Sequence, residues 1–178
     1  MALAQAVEAK DPEIKGHLER SIKYATLIGE RLGLKEEEME ALRFGAVLHD
    51  IGKIGIDDKI LFKPGKLTPE EYEKVKEHPR LGAQIIEGVE FLKEVAPIIL
   101  YHHERYDGKG YPEGLKGEEI PLLARIISVV DAYETMISSR PYKKPFSKEE
   151  AKKEMLREKG KQFDPYIVDI FLKILEER

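Results

Sequence analysis

The chain has 178 residues, of which 42% are hydrophobic and 36% charged, a balance typical of one folded helical domain rather than a disordered or membrane-spanning chain. It contains no cysteine, which excludes disulfides, thiolate metal sites and cysteine nucleophiles. The net charge of −4 argues against a broad basic surface for duplex DNA or RNA. The N-terminus lacks the layout of a signal peptide and no apolar run approaches the length of a bilayer, so we expect a cytoplasmic protein without membrane contact.

Helix signals begin near the N-terminus. Asp11-Pro12 is typical of a helix start, and this helix is predicted to run to Leu32, before Gly33. A second helix is predicted from Glu36 to His49, with apolar residues at helical spacing leading to the histidine. That pattern predicts an inward-facing His49.

The middle of the chain alternates helices with ordered connections. Ile51 to Lys66 is predicted to be a connection because glycine and proline punctuate it, and the capping box at Thr68 to Glu71 opens a helix. We predict that Pro79 interrupts this helix just after His78. A further helix is predicted from Phe91 to His103.

The last third contains a glycine-rich segment and then three predicted helices. Leu122 to Ser139 is the most apolar of them and carries Asp131 and Glu134 on one side. Ser147 and Asp164-Pro165 start the two closing helices. No strand pattern is evident, so the sequence predicts an all-α, compact multi-helix bundle with no significant sheet. We expect one domain over 1–178, with a lead-in helix or linker at 1–10, the site in 11–145 and closing helices in 146–178.

The five histidines all lie at the ends or on the inward faces of predicted helices: His17, His49, His78, His102 and His103. For a single histidine, a satisfied buried side chain is the commoner interpretation. Burying the whole set with carboxylates, however, would cost several desolvation penalties on the order of kcal/mol each unless cations bind them. Nitrogen and oxygen ligands suit iron, manganese, zinc, nickel or cobalt, and more than four candidates indicate at least two ions.

Two neighbouring ions can share a carboxylate, hold a bridging hydroxide and bind a phosphate, which is the usual arrangement for phosphate ester hydrolysis. Asp50 is the candidate bridge, and Lys53 lies near enough to neutralise a phosphate oxygen in the transition state. Asp50 has two alternative interpretations, as the first residue of an Asx turn or as the charge partner of Lys53. The alternative for Lys53 is a surface lysine in a turn.

Two loops are candidates for substrate contact. The segment Tyr106 to Pro112, which contains Gly110 and Tyr111, is either a plain turn or a backbone segment that approaches a ligand closely. The segment Arg140 to Lys144 is either a helix-ending surface loop or a cationic and aromatic patch for phosphate and guanine.

The order of these motifs resembles the HD-GYP family, a branch of the HD-domain phosphohydrolases that hydrolyses the bacterial second messenger cyclic di-GMP. The resemblance covers nearly the whole chain. It runs through DPEIKGHLER, HDIGKIGIDDKILFKPGKLT, EHPRLG, HHERYDGKGYPEGLKGEEIPLLARI, VVDAYETM, RPYKKP and GKQFDP. The fold it implies is the HD-domain helical bundle.

The resemblance also implies roles for individual residues. The two-metal ligands of the family correspond to His49, Asp50, His78, His102, His103 and Asp131, with Asp50 bridging. Lys53 matches the phosphate-contacting lysine, and Arg140 and Lys143 match residues that hold the phosphate or guanine. Some members hold a third metal through a Glu four residues before the first His, which is the spacing of Glu13 and His17. Glu134 stands where those members usually carry Asp, so two and three metals both remain open.

The function implied is a metal-dependent phosphodiesterase that converts cyclic di-GMP to linear pGpG by attack of a metal-bridging hydroxide, with pGpG or GMP as the end product. Iron or manganese is expected from the resemblance alone. Related cyclic dinucleotides such as the mixed GMP-AMP ring are open as substrates, and a sensor or diguanylate cyclase is an expected partner. The alternatives are a cyclic-dinucleotide receptor or protein-interaction module with little turnover, and an HD phosphohydrolase of other nucleotides.

Overall fold

The computed structural model describes residues 17–138 and 144–177, and this part of the chain is helical, as predicted. Its helices are α1 (His17–Leu32), α2 (Glu36–Leu48), α3 (Asp58–Leu61), α4 (Pro69–Val75), α5 (His78–Ile86), α6 (Ala96–Tyr101), α7 (Leu122–Ile137), α8 (Lys148–Glu158) and α9 (Pro165–Glu176). Short 3₁₀ turns lie at Ile51–Gly55, Glu90–Val95 and Gly117–Glu119. Apart from an isolated bridge between Lys159 and Phe163, the described residues form no β-structure. None of the helices in these ranges has the length and apolar character needed to cross a bilayer.

The two largest differences from the predicted helix boundaries both lie at prolines. The helix opened by Thr68 ends at Val75, and Pro79 lies in the first turn of the next helix rather than interrupting the first. Proline fits a first helical turn because the N–H it lacks would have no partner there. Pro97 likewise opens α6, so the helix predicted from Phe91 is divided into a 3₁₀ turn and α6. These breaks put both His78 and His102 at helix ends.

The predicted helix starts at Thr68, Ser147 and Asp164 are confirmed. Thr68 and Ser147 each form a capping box with the glutamate three residues later. Capping of this kind is local, because the side chain bonds to N–H groups within its own turn. The capping sequence is therefore a reliable signal of a helix start wherever the helix that follows packs against the core.

The core lies between α7 and the helices that contact it, α1, α2, α6, α8 and α9. Its large side chains are fully buried: Ile28, Leu42, Ile99, Ile126, Tyr133 and Phe171. Each contributes about 1.5–3 kcal/mol of hydrophobic free energy relative to exposure. Because α7 also carries Asp131, the same packing fixes one wall of the candidate site.

Asp164 joins the start of α9 to α7. Its Oδ1 accepts hydrogen bonds from the N–H groups of Tyr166 and Ile167 at 2.8 and 3.3 Å, and its Oδ2 accepts one from Arg125 at 2.5 Å. The side chains of Arg125 and Asp164 are only 14% and 6% exposed. The carboxylate therefore serves as an N-cap and as the partner of a largely buried cation.

We expect Asp164→Ala to lower the free energy of unfolding by about 2–3 kcal/mol, because it removes the cap and leaves a buried guanidinium without its carboxylate. Denaturant unfolding measures the loss. Asp164→Asn keeps the capping oxygen and should lose less, and equal losses in the two variants would contradict the contribution of the ion pair.

Candidate metal centre

Four imidazoles and two carboxylates from separate segments of the chain lie close together. His49 and Asp50 follow α2, His78 begins α5, and His102 and His103 follow α6. Asp131 lies on α7, with buried core residues on either side of its turn. Helix ends thus deliver most of the site, as the positions of the histidines in the sequence predicted.

One group of donor atoms is centred on Asp50 Oδ1. His78 Nε2 lies 3.3 Å from this oxygen, and His102 Nε2 lies 4.0 Å from it. One donor atom from each of Asp50, His78, His102 and His103 lies within 4.8 Å of the others. Ligands of one ion, at bonds of about 2.0–2.2 Å, lie within about 4.4 Å of one another, so small side-chain shifts are enough to bind a cation here.

A second group lies on the other side of the same carboxylate. His49 Nε2 is 3.6 Å from Asp50 Oδ2 and 3.7 Å from Asp131 Oδ1. Asp50 therefore presents one oxygen to the first group and the other oxygen to His49 and Asp131. This geometry suits a carboxylate that bridges two ions.

Three of the imidazoles are oriented in the same way, by the carbonyl three residues earlier in the chain. The Nδ1 atoms of His49, His78 and His102 lie 3.1, 2.7 and 2.7 Å from the carbonyl oxygens of Ala46, Val75 and Ile99. A carbonyl oxygen only accepts, so Nδ1 carries a proton in each ring, and Nε2 presents a lone pair to the site wherever the imidazole is neutral. A metal-ligating histidine usually shows this pattern.

The positions of His78 and His102 indicate that cations fit this site. Their Nε2 atoms are 3.4 Å apart in a buried site. With both Nδ1 protons used on carbonyls, two lone pairs face each other and repel unless a positive charge lies near both. The nitrogen and oxygen donors present therefore fit divalent cations, without selecting one element.

In the group centred on Asp50 Oδ1, the electrostatics favour the protonation states in which these side chains can bind a metal. Burial lowers the pKa of His102 well below its ordinary value and lowers the pKa of His103 to about 4. Burial would raise the pKa of Asp50, but Lys53 and His49 outweigh it and hold that pKa well below the usual range. Neutral imidazoles beside a charged carboxylate are the forms that bind metals.

His49 differs because it lies between two carboxylates. Burial alone would lower its pKa, but Asp50 and Asp131 outweigh burial and raise the pKa to about 9. The raised value reflects a concentration of negative charge on this side of the site. Cations would neutralise the same charge.

Lys53 is held at the site by the 3₁₀ turn that follows the His49-Asp50 pair. Its Nζ lies 2.6 Å from Asp50 Oδ2. The contact matches the alternative of a charge partner for Asp50. The predicted contact of Lys53 with a phosphate oxygen stays a prediction.

Comparison with known proteins places the chain in a family. A family model described as HD domain matches residues 1–167. The chain belongs to the HD domain family. In this chain the adjacent residues His49 and Asp50 lie at the centre of the site described above.

Curated relatives carry more specific names than the family model. The cyclic di-GMP phosphodiesterase response regulator RpfG of Xanthomonas campestris pv. campestris is 46% identical over 173 residues, covering 96% of this chain and 46% of that protein. A cyclic di-GMP phosphodiesterase of Thermotoga maritima is 45% identical, covering 96% of this chain and 47% of that protein. This HD domain thus spans about half the length of the curated relatives it matches.

Solved structures show the same fold. The crystal structure of V-cGAP3, a cyclic GMP-AMP specific phosphodiesterase of V. cholerae, has a TM-score of 0.79 and 23% identity, covering 99% of this chain and 47% of that one. Together with the names of the relatives, this confirms the resemblance to the HD-GYP branch and the expected HD-domain bundle.

The loop after α6 lies directly against the HD-domain site. Tyr111 donates its N–H to the carbonyl of His103 at 3.3 Å, and its ring stacks on that imidazole with centroids 4.9 Å apart. At Gly110 a Cβ would collide with the backbone of Glu104 and Arg105. Only glycine allows this close approach, which fixes the loop over the first donor group.

Sequence reasoning missed Glu104, which shapes the same loop from inside. The residue is 2% exposed, and its Oε1 accepts hydrogen bonds from the N–H groups of Glu113 and Gly114 at 2.7 and 2.9 Å. Arg80 holds the outside of the loop by donating to Glu113 Oε1 at 2.5 Å. The available signal was an acid placed directly before a glycine-rich segment, whose N–H groups need acceptors.

We expect Glu104→Ala to lower the free energy of unfolding by about 1–3 kcal/mol, because two buried N–H groups lose their acceptor. Denaturant unfolding measures this, and substrate KM should rise because the loop is released. Glu104→Gln retains an acceptor oxygen and should lie between wild type and alanine. A Glu104→Ala protein with unchanged stability and KM would rule out this role for the carboxylate.

Three residues were predicted to bind a third metal, and only one of them, Glu134, has a described side chain. Glu134 is 1% exposed, burial raises its pKa, and its Oε2 accepts a hydrogen bond from Arg20 at 2.8 Å. Glu13 and the side chain of His17 lie outside the described residues, as do Arg140 and Lys143. A third metal and the two cationic substrate contacts stay predictions.

Proposed function

We propose that this HD domain is a metal-dependent phosphodiesterase that hydrolyses cyclic di-GMP to linear pGpG, with pGpG or GMP as the end product. The supporting observation is the position of Asp50, whose two oxygens face separate groups of imidazole and carboxylate donors. Relatives of 45–46% identity bear the name cyclic di-GMP phosphodiesterase, although the chain spans about half of each. A two-ion phosphate ester site is the chemistry that this arrangement supports best.

We assign the first ion to Asp50, His78, His102 and His103, and the second to Asp50, His49 and Asp131. The ions supply Lewis acidity toward the phosphate ester and toward water. Iron or manganese is the proposed identity, and a third ion would use Glu13, His17 and Glu134. The supporting feature for two ions is the number of donors, since a single ion needs about four.

The chain's own residues supply positioning and charge. Lys53, held by Asp50, would contact a non-bridging phosphate oxygen as negative charge grows on it. Gly110 and Tyr111 would close over the phosphate from the loop stacked on His103. Arg140 and Lys143 would hold the phosphate or base.

The proposal is tested by metal analysis of anaerobically purified protein, combined with product chromatography after incubation with cyclic di-GMP and Fe²⁺ or Mn²⁺. We expect at least two ions per chain and conversion to pGpG. A receptor would bind cyclic di-GMP and leave it intact, and a general HD phosphohydrolase would act on nucleotide monophosphates or alarmones instead. Either result would overturn the proposal.

We also propose a cytoplasmic location and control by a sensor or diguanylate cyclase partner. The name of the relative from X. campestris includes response regulator, which supports signal-dependent control. Co-purification of this protein with such a partner would test the proposed control directly.

A further inference from the structure

A cavity of about 280 Å³ opens beside the candidate metal centre, between α7 and the end of α8. Ligand pockets usually measure roughly 300–1,000 Å³, so this one has room for a single nucleoside rather than a whole cyclic dinucleotide. Candidate metal ligands line one wall: His102, His103 and Asp131. A second wall, formed by α8 and the segment that follows it, consists of side chains that have no role in the site described above: Glu154, Glu158, Gln162 and Phe163.

Gln162 has a fixed orientation on that wall. Its Oε1 accepts a hydrogen bond from Arg105 Nη1 at 3.3 Å. Arg105 is itself held by two hydrogen bonds to Asp107, at 3.0 and 2.9 Å. A guanidinium has only donors, so Gln162 must turn its oxygen toward Arg105, and its amide nitrogen is the end that can donate to a ligand.

Glu158 provides the opposite chemistry next to it. Its side chain is 17% exposed, with Oε1 accepting from Arg157 at 3.2 Å and Oε2 lying 3.7 Å from Arg105. A carboxylate only accepts, and the two arginines offset part of its charge. Glu154, the other carboxylate on this wall, also pairs with Arg157, so its charge is offset in the same way. At Gln162 and Glu158 the wall therefore combines a hydrogen-bond donor with a charged acceptor.

We propose that this cavity is the base subsite of the phosphodiesterase proposed above, on which this inference rests, and that Gln162 and Glu158 select guanine over adenine. The Watson–Crick edge of guanine has an acceptor, O6, followed by the N1 and N2 donors. Adenine reverses the order, with a donor at N6 and an acceptor at N1. A donor beside a carboxylate matches guanine and opposes adenine.

The test uses changes that reverse hydrogen-bonding character with little change of shape. Gln162→Glu replaces the donor by an acceptor, and Glu158→Gln replaces the acceptor by an amide. Glu149→Gln is the matched control, because it makes the same change on the exposed side of α8, where the side chain is 76% exposed. Metal content and thermal unfolding check that each variant is folded. If Gln162→Glu does not fold, Gln162→Met takes its place in the experiment.

The measured quantity is the ratio of kcat/KM for cyclic di-GMP to that for cyclic di-AMP. We expect wild type and Glu149→Gln to favour cyclic di-GMP, and each cavity variant to lower the ratio about tenfold, since a base-edge contact discriminates by roughly this much. Unchanged ratios in active variants would overturn the cavity assignment and leave the proposed function standing.

Binding separates the two proposals. Dissociation constants of the same two dinucleotides, measured by calorimetry on metal-loaded protein, require no turnover. If wild type hydrolyses neither dinucleotide, the proposed function fails, while a guanine preference that Gln162→Glu abolishes would still support the cavity assignment. Equal affinity of wild type for both dinucleotides would overturn it.

Discussion

Asp50→Ala is expected to lose both bound metal and at least about a thousandfold of phosphodiesterase activity. Several kcal/mol of transition-state stabilisation depend on the ions, and each 1.36 kcal/mol corresponds to about a tenfold change in rate. The large effect follows from geometry, because the Asp50 oxygens lie 3.3 Å from His78 on one side and 3.6 Å from His49 on the other. Removing them disrupts both donor groups at once. Metal analysis and product chromatography measure the two losses.

Thermal unfolding provides an independent readout for the same variant. Bound metal stabilises the folded state by mass action, so a chelator should lower the Tm of wild type and leave the Tm of Asp50→Ala unchanged. Asp169→Ala is a suitable control, because this carboxylate is exposed and pairs with Lys159 away from the site. Full metal content and turnover in Asp50→Ala would contradict both the bridging role and the proposed function.

The sequence predicted the helical fold well because most of its signals are local. Caps at Thr68, Ser147 and Asp164 act within one turn, and apolar spacing identifies a buried face without reference to its partner. The prolines were harder to interpret. Pro79 and Pro97 can end one helix or open the next, and packing of the following turn decides between these outcomes.

The candidate ligands were predictable as a set but not as an arrangement. Histidines at helix ends indicated a common site, whereas the division of donors between the two Asp50 oxygens depends on how α2, α5, α6 and α7 pack. The bonds from Nδ1 to a carbonyl three residues earlier are local. They could therefore have been anticipated for His49 and His102 from their positions at helix ends.

The roles of residues that act through non-local packing were harder to predict from the sequence. Glu104 has a role only because the glycine-rich loop folds back over it, with N–H groups of residues nine and ten positions later bonding to its carboxylate. Gln162 and Glu158 line a cavity only because the end of α8 lies against α7. Neither the hydrogen bonds of Glu104 nor the cavity lining by Gln162 and Glu158 corresponds to a residue spacing that could be recognised in the sequence.

Gly52→Ala is expected to be the most damaging change that leaves every candidate ligand in place. A Cβ at Gly52 would collide with the carbonyl oxygen of His78 and the amide of Gly82, both backbone atoms of α5. Backbone cannot rotate away as a side chain can, so the 3₁₀ turn and the helix must separate. We expect the free energy of unfolding to fall by more than about 3 kcal/mol.

The same separation should affect the site. Gly52 lies two residues after Asp50, and the atom it would displace belongs to His78, whose Nε2 is 3.3 Å from the Asp50 carboxylate. A displacement of about 1 Å in a catalytic arrangement can cost about a hundredfold in rate, so we expect at least that loss, with weaker metal binding. Denaturant unfolding, metal titration and the hydrolysis assay measure the three effects.

Gly88→Ala is the matched control, since a Cβ there would meet no atom within 4 Å. It should be as stable and active as wild type. If Gly52→Ala behaves in the same way, the turn after Asp50 and the start of α5 do not need their close backbone contact. If Gly52→Ala remains folded but binds metal weakly, the contact sets the distance between Asp50 and His78 and so determines whether one ion can reach both.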